Sequence, residues 1–263
     1  MSKLEFAANG RGVMIGMVHS LALPGTAKFC GDMGRVVEQA VQDAVTLEKA
    51  GVDALIVENM GDDPFLIEME TAQSTALAAV AMAVKSMVSI PVGIDAAMND
   101  YKGAISIAQA IGGSFVRIPV FVDTVQYGGC GVIQPCASQA VRYRKLLGAE
   151  DIQILADIQV KHTTMVLPIS LEDSARAAQD SGADALIVTG SRIGQETPID
   201  MIRRVKKVVG IPVLAGSGVN ALNVKEQMQI ADGGIVGSAL KEGGLLTNPI
   251  SYELTKTLMD ALA

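Results

Sequence analysis

The sequence predicts an α/β protein of the (β/α)8 barrel class, and three observations lead there. Short apolar runs alternate with helical patterns from end to end, the mark of βα units feeding a parallel sheet covered on both faces. Eight such units fit into 263 residues, the usual size of a closed barrel, whereas a doubly wound sheet generally has fewer strands. Segments of the first half also return in the second. "AGVDALIVEN" (50–59) matches "SGADALIVTG" (181–190), "VSIPVGID" (88–95) matches "VGIPVLAG" (209–216), and "IGGSFVR" (111–117) aligns with "ADGGIVG" (231–237). A half-barrel duplicated end to end would place each copy half a turn from the other about one axis.

In chain order, strands are predicted over 13–18, 54–57, 91–94, 115–118, 152–156, 185–188, 213–215 and 234–236. Each is a run rich in Val, Ile, Leu and Ala, too short for a helix and bounded by Gly, Pro or charged residues. Helices are expected near 33–50, 69–88, 101–111, 138–148, 171–181, 199–208 and 221–230, with a last one near 248–262. Asp32 precedes the first, Ser170 precedes the fifth, and Asn248-Pro249 opens the last with proline in its first turn. Met82 and Met87 on the second helix read as core filler. The whole chain, 1–263, is read as one barrel domain.

Hydrophobic residues make up 49% of the chain, charged ones 19% and aromatics 3%, enough for a full core. The formal net charge is -7 and the isoelectric point near 4.9. No general attraction for nucleic acid or anionic lipid follows from such a balance. The N-terminus lacks the apolar core of a signal peptide, and no run approaches the roughly 18 apolar residues of a membrane span. A cytoplasmic protein is expected. Cys30, Cys130 and Cys136 match no disulfide or zinc spacing and read as reduced thiols; Cys130 and Cys136 bracket "GVIQP", which reads as a loop. A barrel of this size suits a homo-oligomer, although no interface is legible.

Barrel enzymes carry their chemistry at the C-terminal ends of the strands. Read in order, those ends offer His19, Glu58, Asp95, Arg117, Asp157 and then Lys161-His162, followed by Gly190, Gly216-Ser217-Gly218 and Gly237-Ser238. Five strands thus end in titratable groups and three in small ones. Phosphate needs close approach of backbone N–H groups, which glycine permits, with serine hydroxyls and a short helix N-terminus adding donors. The two Gly-Ser loops follow the seventh and eighth strands, where barrels often hold phosphate. Tight βα turns would use the same residues. His19 and His162 share the rim with Glu58 and Asp157, and acid/base work and simple pairing with Arg117 stay equally open for the two carboxylates. Lys161 is a candidate for a Schiff base or a phosphate contact, with plain solvent exposure on the loop an equally open reading. No HxH or HExxH spacing occurs, so a divalent metal is the minority reading. No dinucleotide fingerprint follows the first strand, and neither nicotinamide nor flavin is expected. Asp62-Asp63 lies in a long second loop suited to a lid or partner contact, and equally to surface decoration.

From "MIGMVHSLALPGT" (14–26) onward the chain resembles the BtpA/SgcQ family. The likeness continues through "VENMGDDPF", "VGIDAAMND", "FVRIPVFVDT", "ILADIQVKH", "VTGSRIGQETP", "VLAGSGVN" and "ADGGIVGSALKEGG" in the family order. It implies a (β/α)8 barrel and relates His19, Glu58, Asn99, Asp100, Arg117, Asp157, Lys161 and His162 to the family's polar strand-end positions. Two departures bear on the substrate. The family usually has Asn where Asp95 stands, and an Asp-Gln-Gly segment where this chain has "YGGCG" (127–131). One family branch is linked to photosystem I biogenesis and another is encoded among sugar-transport genes.

The residues and the resemblance together lead to an enzyme acting on a small phosphorylated metabolite, a sugar phosphate or nucleotide-like compound, by acid/base isomerisation or bond cleavage. The alternatives are a noncatalytic biogenesis factor for a membrane complex and a sensor of phosphorylated sugars.

Overall fold

The computed structural model describes residues 3–6, 11–190, 196–216 and 218–262. Its strands are β1 (Val13–His19), β2 (Ala54–Glu58), β3 (Val92–Asp95), β4 (Phe115–Ile118), β5 (Val125–Tyr127), β6 (Gly131–Ile133), β7 (Gln153–Ile158), β8 (Thr163–Met165), β9 (Ala185–Val188), β10 (Val213–Ala215) and β11 (Gly233–Val236). Eight of them close into a parallel barrel in the order β1-β11-β10-β9-β7-β4-β3-β2. The echoed segments, β2 to β4 and β9 to β11, therefore stand half a turn apart around the barrel. The other three strands were not expected. They pair as an antiparallel sheet in the order β6-β5-β8, built from the connections after β4 and β7. The "YGGCG" segment turns between β5 and β6, with Tyr127 opposite Gly131, so "GVI" is a strand and not part of a loop.

Side chains alternate between the two faces of a strand, and paired positions on neighbouring strands face the same way. The register carries one interior layer from strand to strand, pairing Met17 with Ile56, Ile56 with Gly93 and Gly93 with Phe115. Ile15, Met17, Ile56, Phe115, Leu155, Ile187, Leu214 and Ile235 fill the barrel as one buried cluster, which Leu4 joins. The phenyl ring of Phe115 fits because β3 carries glycine beside it: a Cβ on Gly93 would stand 2.2 Å from that ring. The outward residues of the strands, among them Met14, Val18, Leu55, Ile94, Val116, Ile154 and Val188, form the larger core against the helices.

The helices are α1 (Met33–Ala50), α2 (Thr71–Met87), α3 (Tyr101–Ile111), α4 (Ala137–Leu146), α5 (Leu171–Asp180), α6 (Ile199–Lys206), α7 (Val224–Gln227) and α8 (Tyr252–Leu262). Asp32 accepts from Arg35 N (3.1 Å) and Ser170 from Asp173 N (3.1 Å), as their capping positions imply. The last helix begins later than expected. Ile250 bridges to Lys241, and Ser251 takes the starting position, its carbonyl accepting from Thr255 N. The seventh helix shrinks to a single turn. Met82 and Met87 are not core filler: they are 44% and 57% exposed, while Leu77, Val80, Ala81 and Val84 of the same helix are buried. Position 82 lies two residues from both Val80 and Val84, on the opposite side of the helix.

Because Gly93 leaves no room beside Phe115, Gly93→Ala is expected to cost about 1–3 kcal/mol of stability, the usual penalty for overpacking a dense core. Urea unfolding of the variant checks this; an unchanged midpoint would mean that the ring moves aside freely.

Candidate active site

One residue-pair above the apolar plug, the interior layer changes character. Two positions beyond Met17, Ile56, Gly93, Phe115, Leu155, Ile187, Leu214 and Ile235 stand His19, Glu58, Asp95, Arg117, Asp157, Thr189, Gly216 and Gly237. Strand register pairs His19 with Glu58, Glu58 with Asp95, and Asp95 with Arg117. The alternation that fills the barrel thus also delivers a ring of polar groups and two glycines to its C-terminal rim. Above them opens a cavity of about 870 Å³ lined by His19, Glu58, Asp95, Arg117, Lys161, His162, Gly216, Gly218, Gly237 and Ser238. Phe65, Met98, Tyr127 and Val160 form an apolar side of the same space, and with Val125 and Ile133 they belong to a buried cluster under the small sheet. Around it stand the loop after β1 (Leu21, Ala22, Lys28), the long second loop (Met60, Asp63, Phe65) and the connections after β4 and β7 (Tyr127, Val160).

Arg117 organises the charges. Its Nε and one terminal nitrogen donate to the two oxygens of Asp157 (2.9 and 2.8 Å), and its other terminal nitrogen lies 3.3 Å from Asp95 Oδ2. Burial works against the guanidinium charge, but Asp157, Asp95 and Glu58 hold its pKa well above the usual value. Asp157 is buried behind Arg117 and does not line the cavity. Asp95 is 1% exposed, and neither of its oxygens has a hydrogen bond. Burial and the neighbouring Glu58 push its pKa well above the ordinary 3.8, with Arg117 opposing. The balance favours the protonated form far more than for an ordinary aspartate.

On the other side, His19 Nε2 lies 3.3 Å from Glu58 Oε2. Burial raises the Glu58 pKa, but His19, Arg117 and Lys161 outweigh it and bring it below the ordinary carboxylate value. His19 Nδ1 is buried and has no partner. Lys161 is half-buried; burial first, then Arg117, lowers its pKa to about 8. Its backbone N–H donates to Thr189 Oγ1 (3.0 Å). His162, exposed at the rim, has φ of 64° and Gln159 φ of 48°, conformations uncommon for residues with a Cβ.

The glycines have a packing role that sequence reasoning did not find. A Cβ on Gly216 would stand 2.1 Å from Ile187 Cγ2, and one on Gly237 would stand 2.8 Å from His19 Cε1. The Gly216 N–H is committed to Val188 O (2.8 Å). Gly218, with φ of 72°, turns its carbonyl toward Asn220 and Asn223. Ser238 opens a single 3-10 turn, Ser238–Leu240; among the described residues the N–H groups of Ser238 and Ala239 have no acceptor. Gly190 is buried after β9 and is not part of the cavity wall. Ser217 lies outside the described residues.

Asn99 and Asp100 act on the loops. Asn99 exchanges hydrogen bonds with Val120 (3.0 and 2.8 Å), and Asp100 caps α3 through Gly103 N. Asp62 binds Leu23 N, Asn59 and Gln73, tying the first two loops together, while Asp63 meets Lys28 at the cavity edge (3.0 Å). Burial raises the thiol pKa of Cys130 and pushes that of Cys136 up to about 12, which keeps both protonated. Among the described residues no group of three or more His, Cys, Asp or Glu is arranged to hold a metal ion.

A model of the BtpA family matches residues 11–263. The chain belongs to the BtpA family. An uncharacterized protein of Pyrococcus furiosus is 41% identical over 98% of this chain and 97% of its own length. Within the same BtpA group, the photosystem I biogenesis protein of Synechocystis is 33% identical over 95% of this chain and 88% of its own length. Solved structures share the barrel at much lower identity. Mycobacterium tuberculosis tryptophan synthase has a TM-score of 0.65 at 19% identity, covering 97% of this chain and 94% of that one. Thiamine phosphate pyrophosphorylase of Pyrococcus furiosus has a TM-score of 0.60 at 15% identity, covering 95% and 94%. N-(5'-phosphoribosyl)anthranilate isomerase of the same organism has a TM-score of 0.58 at 13% identity, covering 95% and 98%. These likenesses concern the fold. Among the described residues of this BtpA-family chain, no helix is long and apolar enough to cross a membrane.

Two outcomes test the charge arrangement. Above the ordinary value of 3.8 the unfolded chain ionises Asp95 while the folded protein keeps it protonated, so the folded state binds more protons and stability falls as pH rises through that window. Asp95→Asn removes this fall: the variant is expected to melt higher than the native chain at pH 7 and to lose its advantage below the ordinary aspartate value, read by melting curves across pH. Asp157→Ala strips Arg117 of its bidentate partner and is expected to cost about 3–5 kcal/mol, as breaking a buried pair does. Denaturant unfolding checks it, and a loss under 1 kcal/mol would show that Asp95 compensates.

Proposed function

We propose that this BtpA-family barrel is a cytoplasmic enzyme that takes a small phosphorylated metabolite and moves protons on it, in an isomerisation or bond cleavage. The observation that carries this is a set of buried polar atoms without a hydrogen bond on two residues that line one cavity: both Asp95 oxygens, one of them 3.3 Å from Arg117, and His19 Nδ1. Buried polar groups are normally hydrogen-bonded, so a set left open at a cavity wall calls for a ligand that completes it. Asp95 held protonated and Glu58 held ionised also supply an acid and a base in one space.

The phosphate is supported more indirectly. The open N–H groups of Ser238 and Ala239 lie beside the cavity wall formed by Gly237, and two proteins of similar fold carry a phosphate or phosphoribosyl group in their names. Arg117 is already engaged by carboxylates, whereas Lys161 remains available to a negatively charged substituent or to a reacting carbon.

A second reading, a noncatalytic assembly factor, is favoured by the relative named for photosystem I biogenesis. It is also favoured by apolar residues exposed on and beside the small sheet, Val132 at 50% and Leu167 at 68%.

A thermal-shift screen of sugar phosphates and nucleotides, with and without divalent cations, separates the two. A ligand at a hundredfold excess over its Kd adds about 2.7 kcal/mol, roughly 5–10 °C for a chain of this size. Absence of a shift from every phosphorylated compound, together with cofractionation with membranes, would favour the assembly factor.

A further inference from the structure

Lys161 is a cation in the cavity that no carboxylate claims. Arg117 holds Asp157 at 2.8 Å and lies 3.3 Å from Asp95, while His19 lies 3.3 Å from Glu58; among the described residues no acid stands within ion-pair distance of Lys161. The segment that carries it is tightly constrained. Its amide is tied to Thr189 Oγ1 (3.0 Å), Thr163 Oγ1 donates to Val160 O (2.6 Å), and Gln159 and His162 on either side have φ of 48° and 64°. Strained backbone of this kind persists where the surrounding structure over-determines a position. Here it sets an amine at the wall of a cavity that a buried carboxyl, Asp95, also lines, with neither oxygen hydrogen-bonded and Arg117 3.3 Å from one of them. With a pKa of about 8, set by burial and Arg117 against the pull of Asp157, Glu58 and Asp95, roughly a tenth of Lys161 is neutral at pH 7. An ordinary lysine is neutral in about one part in 2,500.

We propose that Lys161 forms an imine with an aldehyde or ketone of the substrate, assisted by Asp95 as proton donor. The inference rests on the enzyme reading above and narrows its substrate class to phosphorylated carbonyl compounds. The Nζ lone pair attacks the carbonyl carbon, a C–N bond forms, and the proton released by nitrogen ends on the former carbonyl oxygen as a carbinolamine hydroxyl. Asp95 gives its proton to that hydroxyl, the C–O bond breaks, water leaves, and the nitrogen lone pair closes the C=N bond. The products are a protonated imine, one water and an Asp95 carboxylate facing two positive groups, the iminium and Arg117. No oxidant or reductant is consumed, and addition of water reverses the sequence.

Pyridoxal 5′-phosphate, a phosphorylated aldehyde, serves as the probe on the full chain at pH 7.5, with borohydride reduction and peptide mass spectrometry to map the modified lysines. Labelling of Lys161 is expected to run at least about tenfold faster than at the remaining lysines and to rise with pH around a midpoint near 8. Lys161→Arg should abolish the preferred adduct. Asp95→Asn, once its melting curve shows it folded, should slow labelling by about a hundredfold, the lower end of what a general acid contributes. Labelling of Lys161 no faster than elsewhere, or with the pH profile of an ordinary lysine, overturns the proposal; an unchanged rate in Asp95→Asn overturns the role of the acid. Inorganic phosphate as competitor tests the underlying phosphate reading separately. Preferred labelling that phosphate does not slow keeps the imine and removes the phosphate site, whereas phosphate binding without preferred labelling does the reverse.

Discussion

Arg117 carries a permanent charge into the interior of the barrel rim, and the neighbouring groups are set by the need to accommodate it. A buried guanidinium is tolerable only when paired and hydrogen-bonded; Asp157 meets that need with two short hydrogen bonds from the adjacent strand β7. With Asp157 so occupied, the region beside β3 holds two further carboxylates, Asp95 and Glu58, around one cation already satisfied. One of them is cheaper to keep neutral, and the buried Asp95 is the one that takes the proton. Glu58 stays ionised because His19 stands beside it. Burial, and after it the same cation, lowers the pKa of Lys161 at the cavity wall. Acid, base and weakly charged amine thus follow from burial first, with Arg117, His19 and the neighbouring carboxylates setting how far each group moves.

The small antiparallel sheet gives this cluster its dielectric setting. Strands β5, β6 and β8 draw Phe65, Met98, Val125, Ile133 and Val160 into a satellite core above the rim, which excludes water from one side of the cavity and strengthens each electrostatic interaction within it. Lys161 and His162 sit immediately before β8, so the roof and the amine are parts of one connection. The opposite side is kept open by glycine: at Gly237 a side chain would press on the His19 ring, and at Gly216 on Ile187. Room for a ligand on that side comes from missing Cβ atoms.

Much of this was legible because barrel strands obey simple periods. Apolar runs three to six residues long located all eight barrel strands, and alternation in β1 and β2 carried the reading from Ile15 and Ile56 to His19 and Glu58. Asp32 and Ser170 marked helix starts through a local hydrogen bond that any chain would form. The misplacements were of a different kind. Asn248-Pro249 has the chemistry of a helix opening, yet Ile250 pairs with Lys241, and that bridge delays the helix. Met82 and Met87 are apolar and helical, but which side of α2 meets the barrel depends on packing. The β5, β6 and β8 strands have three residues each, and β5 pairs with β8 across 36 to 40 residues, beyond the reach of any local pattern.

The sequence by itself determined the barrel, its rim and the roster of ionisable groups there, because period-two alternation and the C-terminal position of strand ends depend only on neighbours along the chain. Tertiary structure alone decided how those groups pair: Asp157 behind Arg117 and, among the described residues, Asp95 without a hydrogen bond and Lys161 without an acid at ion-pair distance. The reason is that pairing and protonation depend on distances between strands and on exclusion of water, quantities that arise only when the barrel closes and its roof packs down.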